Sequence, residues 1–156
     1  MGNPITCCFT GHRSIPVAER TEIAQRLAEE IQELVRQGVK YFGAGGALGF
    51  DTLAAKTVLS LKTQYPHIKL ILVLPCRDQA DRWNVYDKKV YNDILERADK
   101  LVYTAEQYAS GCMHRRNRHL VEHSDVCVCY CTKNYGGTAY TVNYAIQRGL
   151  RVINLA

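Results

Sequence analysis

A chain of 156 residues, 47% apolar and 22% charged, is long enough for one domain with its own core, and its composition excludes a disordered chain. No apolar run reaches the length of a membrane span. The start, Met1-Gly2-Asn3-Pro4-Ile5-Thr6, lacks the basic-then-apolar pattern of a secretory signal, and Gly2 and Thr6 match a myristoylation pattern only by chance. The formal charge of +5 favours an anionic partner weakly and does not by itself indicate nucleic acid.

In chain order, Ile5 to Thr10 is a short apolar run ending in Gly11 and predicts a first strand. Ala18 to Gln37 carries Ile23, Leu27, Ile31 and Leu34 at helical spacing, and Gly38 closes that helix. Val39 to Gly43 is a second strand. The glycine-rich turn after it leads to Asp51 and Thr52, candidate N-caps for a helix from about Leu53 to Thr63. Lys69 to Leu74 is a continuous apolar run, as expected of a strand buried on both faces, and Pro75 stops it. Asp87 to Ala98 (helix), Lys100 to Thr104 (strand), Met113 to His123 (helix), Val126 to Cys131 (strand), Tyr140 to Arg148 (helix) and Val152 to Leu155 (strand) complete the alternation. No internal repeat or linker interrupts it. The pattern predicts one α/β domain over residues 1–156, a three-layer Rossmann-like parallel sheet with helices on both faces. Right-handed crossovers then bring every strand-to-helix loop to one rim, where ligands bind. The strand order does not follow from the sequence.

Seven cysteines, an odd number without a CxxC pair, suit free thiols in a reducing cytosol better than a disulfide framework, so the chain is read as cytoplasmic. Cys127, Cys129 and Cys131 would share one strand face, with Val126, Val128 and Tyr130 on the other. These cysteines diverge along an extended chain and are read as core rather than metal ligands. Cys76 is read as a buried, inert thiol. His119 and His123, four apart on a helix, lack the glutamate of a metalloprotease pattern and are read as surface residues. No metal and no cofactor is expected.

The chemistry-bearing residues fall on the predicted rim. Thr10-Gly11-His12-Arg13 follows the first strand, Gly43 to Asp51 the second, Pro75-Cys76-Arg77 the third, and Lys133 to Thr138 the fifth. Two glycine-rich turns entering helices, with arginines nearby, predict an anion site built from backbone N–H groups and helix dipoles. The Gly43 to Asp51 turn is neither a dinucleotide fingerprint nor a P-loop, since Leu48 stands where a third glycine would and no Gly-Lys-Ser/Thr follows. In Met113 to Arg118, Arg115 and Arg118 lie one turn apart and Arg116 points elsewhere.

Together, Thr10-Gly11-His12-Arg13, the Gly-Gly-Ala-x-Gly-x-Asp stretch at Gly45 to Asp51, Met113-x-x-Arg116-Asn117 and Gly136-Gly137-Thr138 resemble the SLOG superfamily, in particular its small YpsA/YoqJ-like bacterial members. That superfamily also includes the Lonely Guy phosphoribohydrolases and the DNA-processing protein DprA. The resemblance implies a Rossmann-like fold, a pocket for nucleotides or nucleotide-derived signals such as an NAD or ADP-ribose-type ligand, and self-association into a homo-oligomer. The Lonely Guy glutamate is missing, since Thr141 falls at its position, and Asn117 replaces the lysine that follows the arginine.

The resulting expectation is a module that binds a nucleotide-derived small molecule. Phosphate would rest on Gly45, Gly46 and Gly49 and on Gly136, Gly137 and Thr138. Arg13 and Arg116 would supply charge, Asp51 or Asn117 would hold ribose hydroxyls, and Trp83 would flank the base. Thr10, Gly11, His12 and Pro75 would line the site. Two alternatives stand beside it. One is a nucleoside-monophosphate phosphoribohydrolase, with Asp51 the only acidic residue available as catalyst. The other is a single-stranded DNA binder, which needs a continuous basic groove with exposed aromatics. No membrane partner is expected.

Overall fold

The computed structural model describes residues 4–156, and the Gly2 motif lies outside the described residues. These residues form six parallel strands, β1 (Thr6–Gly11), β2 (Tyr41–Ala44), β3 (Lys69–Leu74), β4 (Lys100–Tyr103), β5 (Val126–Tyr130) and β6 (Arg151–Asn154). Five helices alternate with them, α1 (Arg20–Arg36), α2 (Phe50–Leu61), α3 (Val85–Arg97), α4 (Cys112–Glu122) and α5 (Gly136–Gln147), with a 3-10 turn at Val17–Glu19 before α1.

The sheet order is β4-β3-β2-β1-β5-β6. The chain therefore begins in the middle of the sheet, winds outward to β4, and returns to the other side of β1. Loops leaving β1 and β5 diverge, and that divergence opens the crevice expected at a topological switch point. Among the described residues no helix is long and apolar enough to cross a membrane.

Two apolar layers hold the sheet. On one face, Ile23, Leu27, Ile31 and Leu34 of α1, the residues of the helical stripe, are all buried against Phe9, Phe42, Leu70 and Val128. On the other, Leu120 and Val121 of α4 and Ala145 of α5 cover Cys8, Val73, Cys127 and Cys129. Strand β5 shows how alternation sorts these layers. Val126, Val128 and Tyr130 face the first layer, and Cys127 and Cys129 face the second. All seven cysteines are free thiols, and burial pushes Cys129 up to about 12.

Several boundaries differ from the sequence reading. The second strand begins at Tyr41, two residues after Val39, because α1 closes through Gln37 and Gly38 before the chain extends. Helix α2 starts at Phe50, not Leu53, so neither Asp51 nor Thr52 is its N-cap. Gly49 holds that position with no side-chain cap, and both polar residues lie in the first turn. Helix α5 starts at Gly136, four residues before Tyr140, and its first turn is the Gly136-Gly137-Thr138 segment itself. Helix α3 begins at Val85, capped by Asn84, whose side chain accepts from the Asp87 N–H at 2.8 Å.

Candidate functional site

The switch-point crevice is a cleft of about 270 Å³. The end of β1 contributes Thr10, Gly11, His12 and Arg13, and the turn before α2 contributes Ala47 and Asp51. Helix α4 adds Met113, His114, Arg116 and Asn117, and α5 adds Gly137 and Thr138. Four segments far apart in sequence thus meet at one rim.

Two buried, opposite charges brace this rim. Arg116 is 3% exposed and Asp51 6%. The Arg116 Nη1 donates to the Gly45 carbonyl, and its Nε donates to Asn117 Oδ1 at 2.7 Å. Asp51 Oδ2 accepts the Ala47 N–H at 3.3 Å, and Thr52 Oγ1 donates to the Ala47 carbonyl at 2.9 Å. Gly45 lies between the two charged groups. A Cβ there would sit 2.5 Å from Arg116 Nη1 and 2.8 Å from Asp51 Oδ2, so any side chain would displace the brace. Burial pushes the Asp51 carboxyl above its usual range, while Arg116, the Ala47 N–H and Arg13 pull it back. Burial lowers Arg116, and the Asp51 carboxylate opposes that shift.

Two amides of the turn before α2 are engaged by the protein's own groups. Ala47 N–H is engaged by Asp51, and Phe50 N–H donates to the His12 carbonyl at 3.0 Å. Gly49 has φ +79°, a conformation suited to glycine, and a Cβ on it would overlap the Arg13 backbone. The loops after β1 and β2 are locked together at that contact.

The start of α5 differs. Tyr135 occupies the N-cap position with no side-chain cap, so the first amides of α5 have no intrahelical partner and no capping side chain. Gly137 and Thr138 bring this end to the cleft that Arg13 also lines. Arg13 is exposed and makes no ion pair among the described residues. His12 accepts the Thr132 N–H on Nε2 at 2.9 Å, which puts the neutral ring's proton on Nδ1. Burial and the Lys133 ammonium hold this imidazole below its usual value, so it is neutral near pH 7.

The structure brings together Thr10, Gly11, His12, Arg13, Asp51, Arg116, Asn117, Gly137 and Thr138 of the sequence-predicted set. Gly136 is exposed beside them at the head of α5. Gly45, Gly46 and Pro75 are buried and do not line the cleft. Gly49 lines a separate groove on the far side of Arg13. Trp83 packs edge-on to Tyr91 at 5.1 Å in a slot between α2 and α3. Cys76 is fully buried, and burial and Asp78 push its thiol up to about 12. Thr141 is buried, and its hydroxyl donates to the Gly137 carbonyl at 3.0 Å. Sequence reasoning missed Ala47, Met113 and His114 as cleft residues. The helical spacing of Met113 and Arg116, one turn apart, was the available signal.

The YspA SLOG family model matches residues 7–151. The chain belongs to the YspA SLOG family. Among relatives, it is 34% identical over 140 residues to the UPF0398 protein BH1768 of Halalkalibacterium halodurans, spanning 88% of this chain and 71% of that one. It is 31% identical over 137 residues to the SPbeta prophage-derived protein YoqJ of Bacillus subtilis (strain 168), spanning 80% of each. In fold it is similar to DNA processing protein A from Helicobacter pylori, a structure described for its single-stranded DNA binding mode. That match has a TM-score of 0.71 at 20% identity over 97% of this chain and 65% of that chain. The same protein from Streptococcus pneumoniae gives 0.70 at 20% identity, over 96% of this chain and 50% of that one. The SLOG chain thus spans less than two thirds of both.

Two outcomes follow from the geometry. Asp51→Asn removes the buried charge that offsets Arg116, and Arg116→Met the one that offsets Asp51, along with the hydrogen bonds of Arg116, so each lowers the urea unfolding free energy by ~2 kcal/mol. The double variant loses less than the sum of the two, whereas simple additivity would mean that the two charges do not interact. The second concerns pH. His12 sits below its unfolded value of about 6.5, so the unfolded chain holds a proton that the folded chain does not. Stability is full above ~pH 6.5 and falls as pH drops from there toward the folded value. In His12→Gln the fall in urea midpoint between ~pH 7.5 and ~pH 5 is smaller. His119, which burial and His123 also hold down, contributes in the same direction.

Proposed function

We propose that this protein binds a nucleotide-derived, phosphate-bearing small molecule in the switch-point cleft and acts as a binding or sensing module. The observation that carries the reading is the uncapped start of α5, whose Gly137 and Thr138 line one cleft of about 270 Å³ with the unpaired Arg13. A helix N-terminus offers N–H donors and a positive dipole end to an anion, and a guanidinium binds phosphate in a bidentate manner. The phosphate sits between these two groups. The Gly45–Gly49 turn serves as the brace beneath the site, since its Ala47 and Phe50 amides are already engaged.

The rest of the cleft suits a nucleoside. The amide of Asn117 keeps its Nδ2 donors available for ribose hydroxyls, because its Oδ1 accepts from Arg116. Met113 and His114 provide apolar and aromatic surface for a base, and His114 is itself steadied edge-on by Tyr140 at 4.7 Å. An NAD or ADP-ribose-type ligand fits this set, with its further groups extending past Thr138.

Binding without turnover is the preferred form of this reading. N-glycosidic hydrolysis needs a carboxylate to stabilise the sugar cation and activate water. Thr141 has none, and its hydroxyl is committed to the Gly137 carbonyl. Asp51 is held by Ala47 and Arg116. Calorimetric titration with AMP and with ADP-ribose at ~0.15 M salt tests the reading, with saturable binding and no free adenine released. Arg13→Ala weakens binding about 10–100-fold, the value of one charge-assisted contact. Absence of binding to both compounds, or an unchanged affinity in Arg13→Ala, would overturn it. Release of adenine would favour the hydrolase.

A further inference from the structure

A second groove lies on the α1–α2–α3 side of the wall made by Arg13 and Gly49. Its mouth is about 400 Å³, within the range of small-molecule pockets, and holds Arg13, Arg20 and Lys56 around a single carboxylate, Asp87. None of the three cations makes an ion pair among the described residues. Arg20 is anchored by its Nε to the Ile15 carbonyl at 3.2 Å, which leaves its two Nη groups directed elsewhere. Asp87 is pinned at the head of α3 by Asn84, whose Nδ2 donates to it at 3.0 Å.

The mouth shares Leu48, Thr52, Lys56 and Asp87 with an apolar slot between α2 and α3, lined by Trp83, Val90, Tyr91 and Ile94. Cations unbalanced by acids attract an anion, and Leu48 and Leu53 in the mouth, continuous with the slot of about 70 Å³, reward covering by an apolar body. Neither feature is explained by the switch-point cleft, which lies across the Arg13 wall and shares no residue of the mouth other than Arg13.

We propose that this groove is a second ligand site, taking a small molecule with an acidic head at Arg20 and Lys56 and an aromatic or apolar body lying in the mouth against Leu48 and Leu53, at the entrance of the Trp83 slot. The two sites border on Arg13, so a ligand that draws this guanidinium to one side weakens the other.

Trp83 is the chain's single tryptophan and lines the slot that opens on this mouth, so its emission responds to occupancy of the groove. Phenyl phosphate, titrated into the full chain with excitation at the red edge of tryptophan, produces a saturable change in Trp83 emission. Inorganic phosphate, which lacks the body, produces none. Lys56→Glu weakens phenyl phosphate at least tenfold, and Lys89→Glu, the same charge change on the exposed side of α3, changes it less than twofold. Both positions are exposed, and urea midpoints establish that both variants fold. Trp83 emission indifferent to phenyl phosphate, or equal effects of the two lysine variants, would overturn the proposal. Complete displacement by AMP, with Lys56→Glu weakening AMP by the same factor, would also overturn it by making the groove the nucleotide's own site.

Discussion

The reach of one buried guanidinium organises the rim of this domain. Arg116 extends from α4 across the carboxyl ends of the strands to the Gly45 carbonyl, within the field of the buried Asp51 carboxylate. A charge taken out of water is tolerated only when its partners are fixed in place. The β2–α2 turn and the head of α4 are therefore held in one relation, with glycine at position 45 as the steric condition. Without that tie, residues from α4 and from the β2–α2 turn would line no common surface.

The same tie determines which part of the rim stays open to a ligand. In the β2–α2 turn, Asp51 and the His12 carbonyl engage the Ala47 and Phe50 amides. At the head of α5 no side chain does so, and Thr141, one turn on, donates to a carbonyl rather than to the N-terminus. Two glycine-rich turns that look alike thus differ: two amides of the first are engaged by the protein's own groups, and the second begins a helix with no side-chain cap. Arg13 stands between the switch-point cleft and the α2–α3 groove, and both the fold and the charge distribution meet at that residue.

Much of this architecture was legible from local pattern. The stripe of Ile23, Leu27, Ile31 and Leu34 fixes the buried face of α1, and the unbroken run of Lys69 to Leu74 marks β3 at its observed limits. The alternation in β5 sorts cysteines from valines. Helix starts were less legible where glycine precedes them. Gly136 has φ +91° and opens α5 directly, although glycine's low helix propensity argues for a later start. Asp51 has an N-cap side chain, yet Gly49 takes the cap because the contact with Arg13 sets the turn earlier. The strand order, the burial of Arg116 and the displacement of Trp83 into a separate slot depend on contacts between distant segments, which no local window contains.

Backbone amide chemical shifts during an AMP titration test the central claim most directly, since they report each N–H separately. The account predicts that the Gly137 and Thr138 amides move far downfield as an anion docks, while the Ala47 amide, held by Asp51, hardly moves. Large shifts at Ala47 with Gly137 and Thr138 unmoved would contradict it.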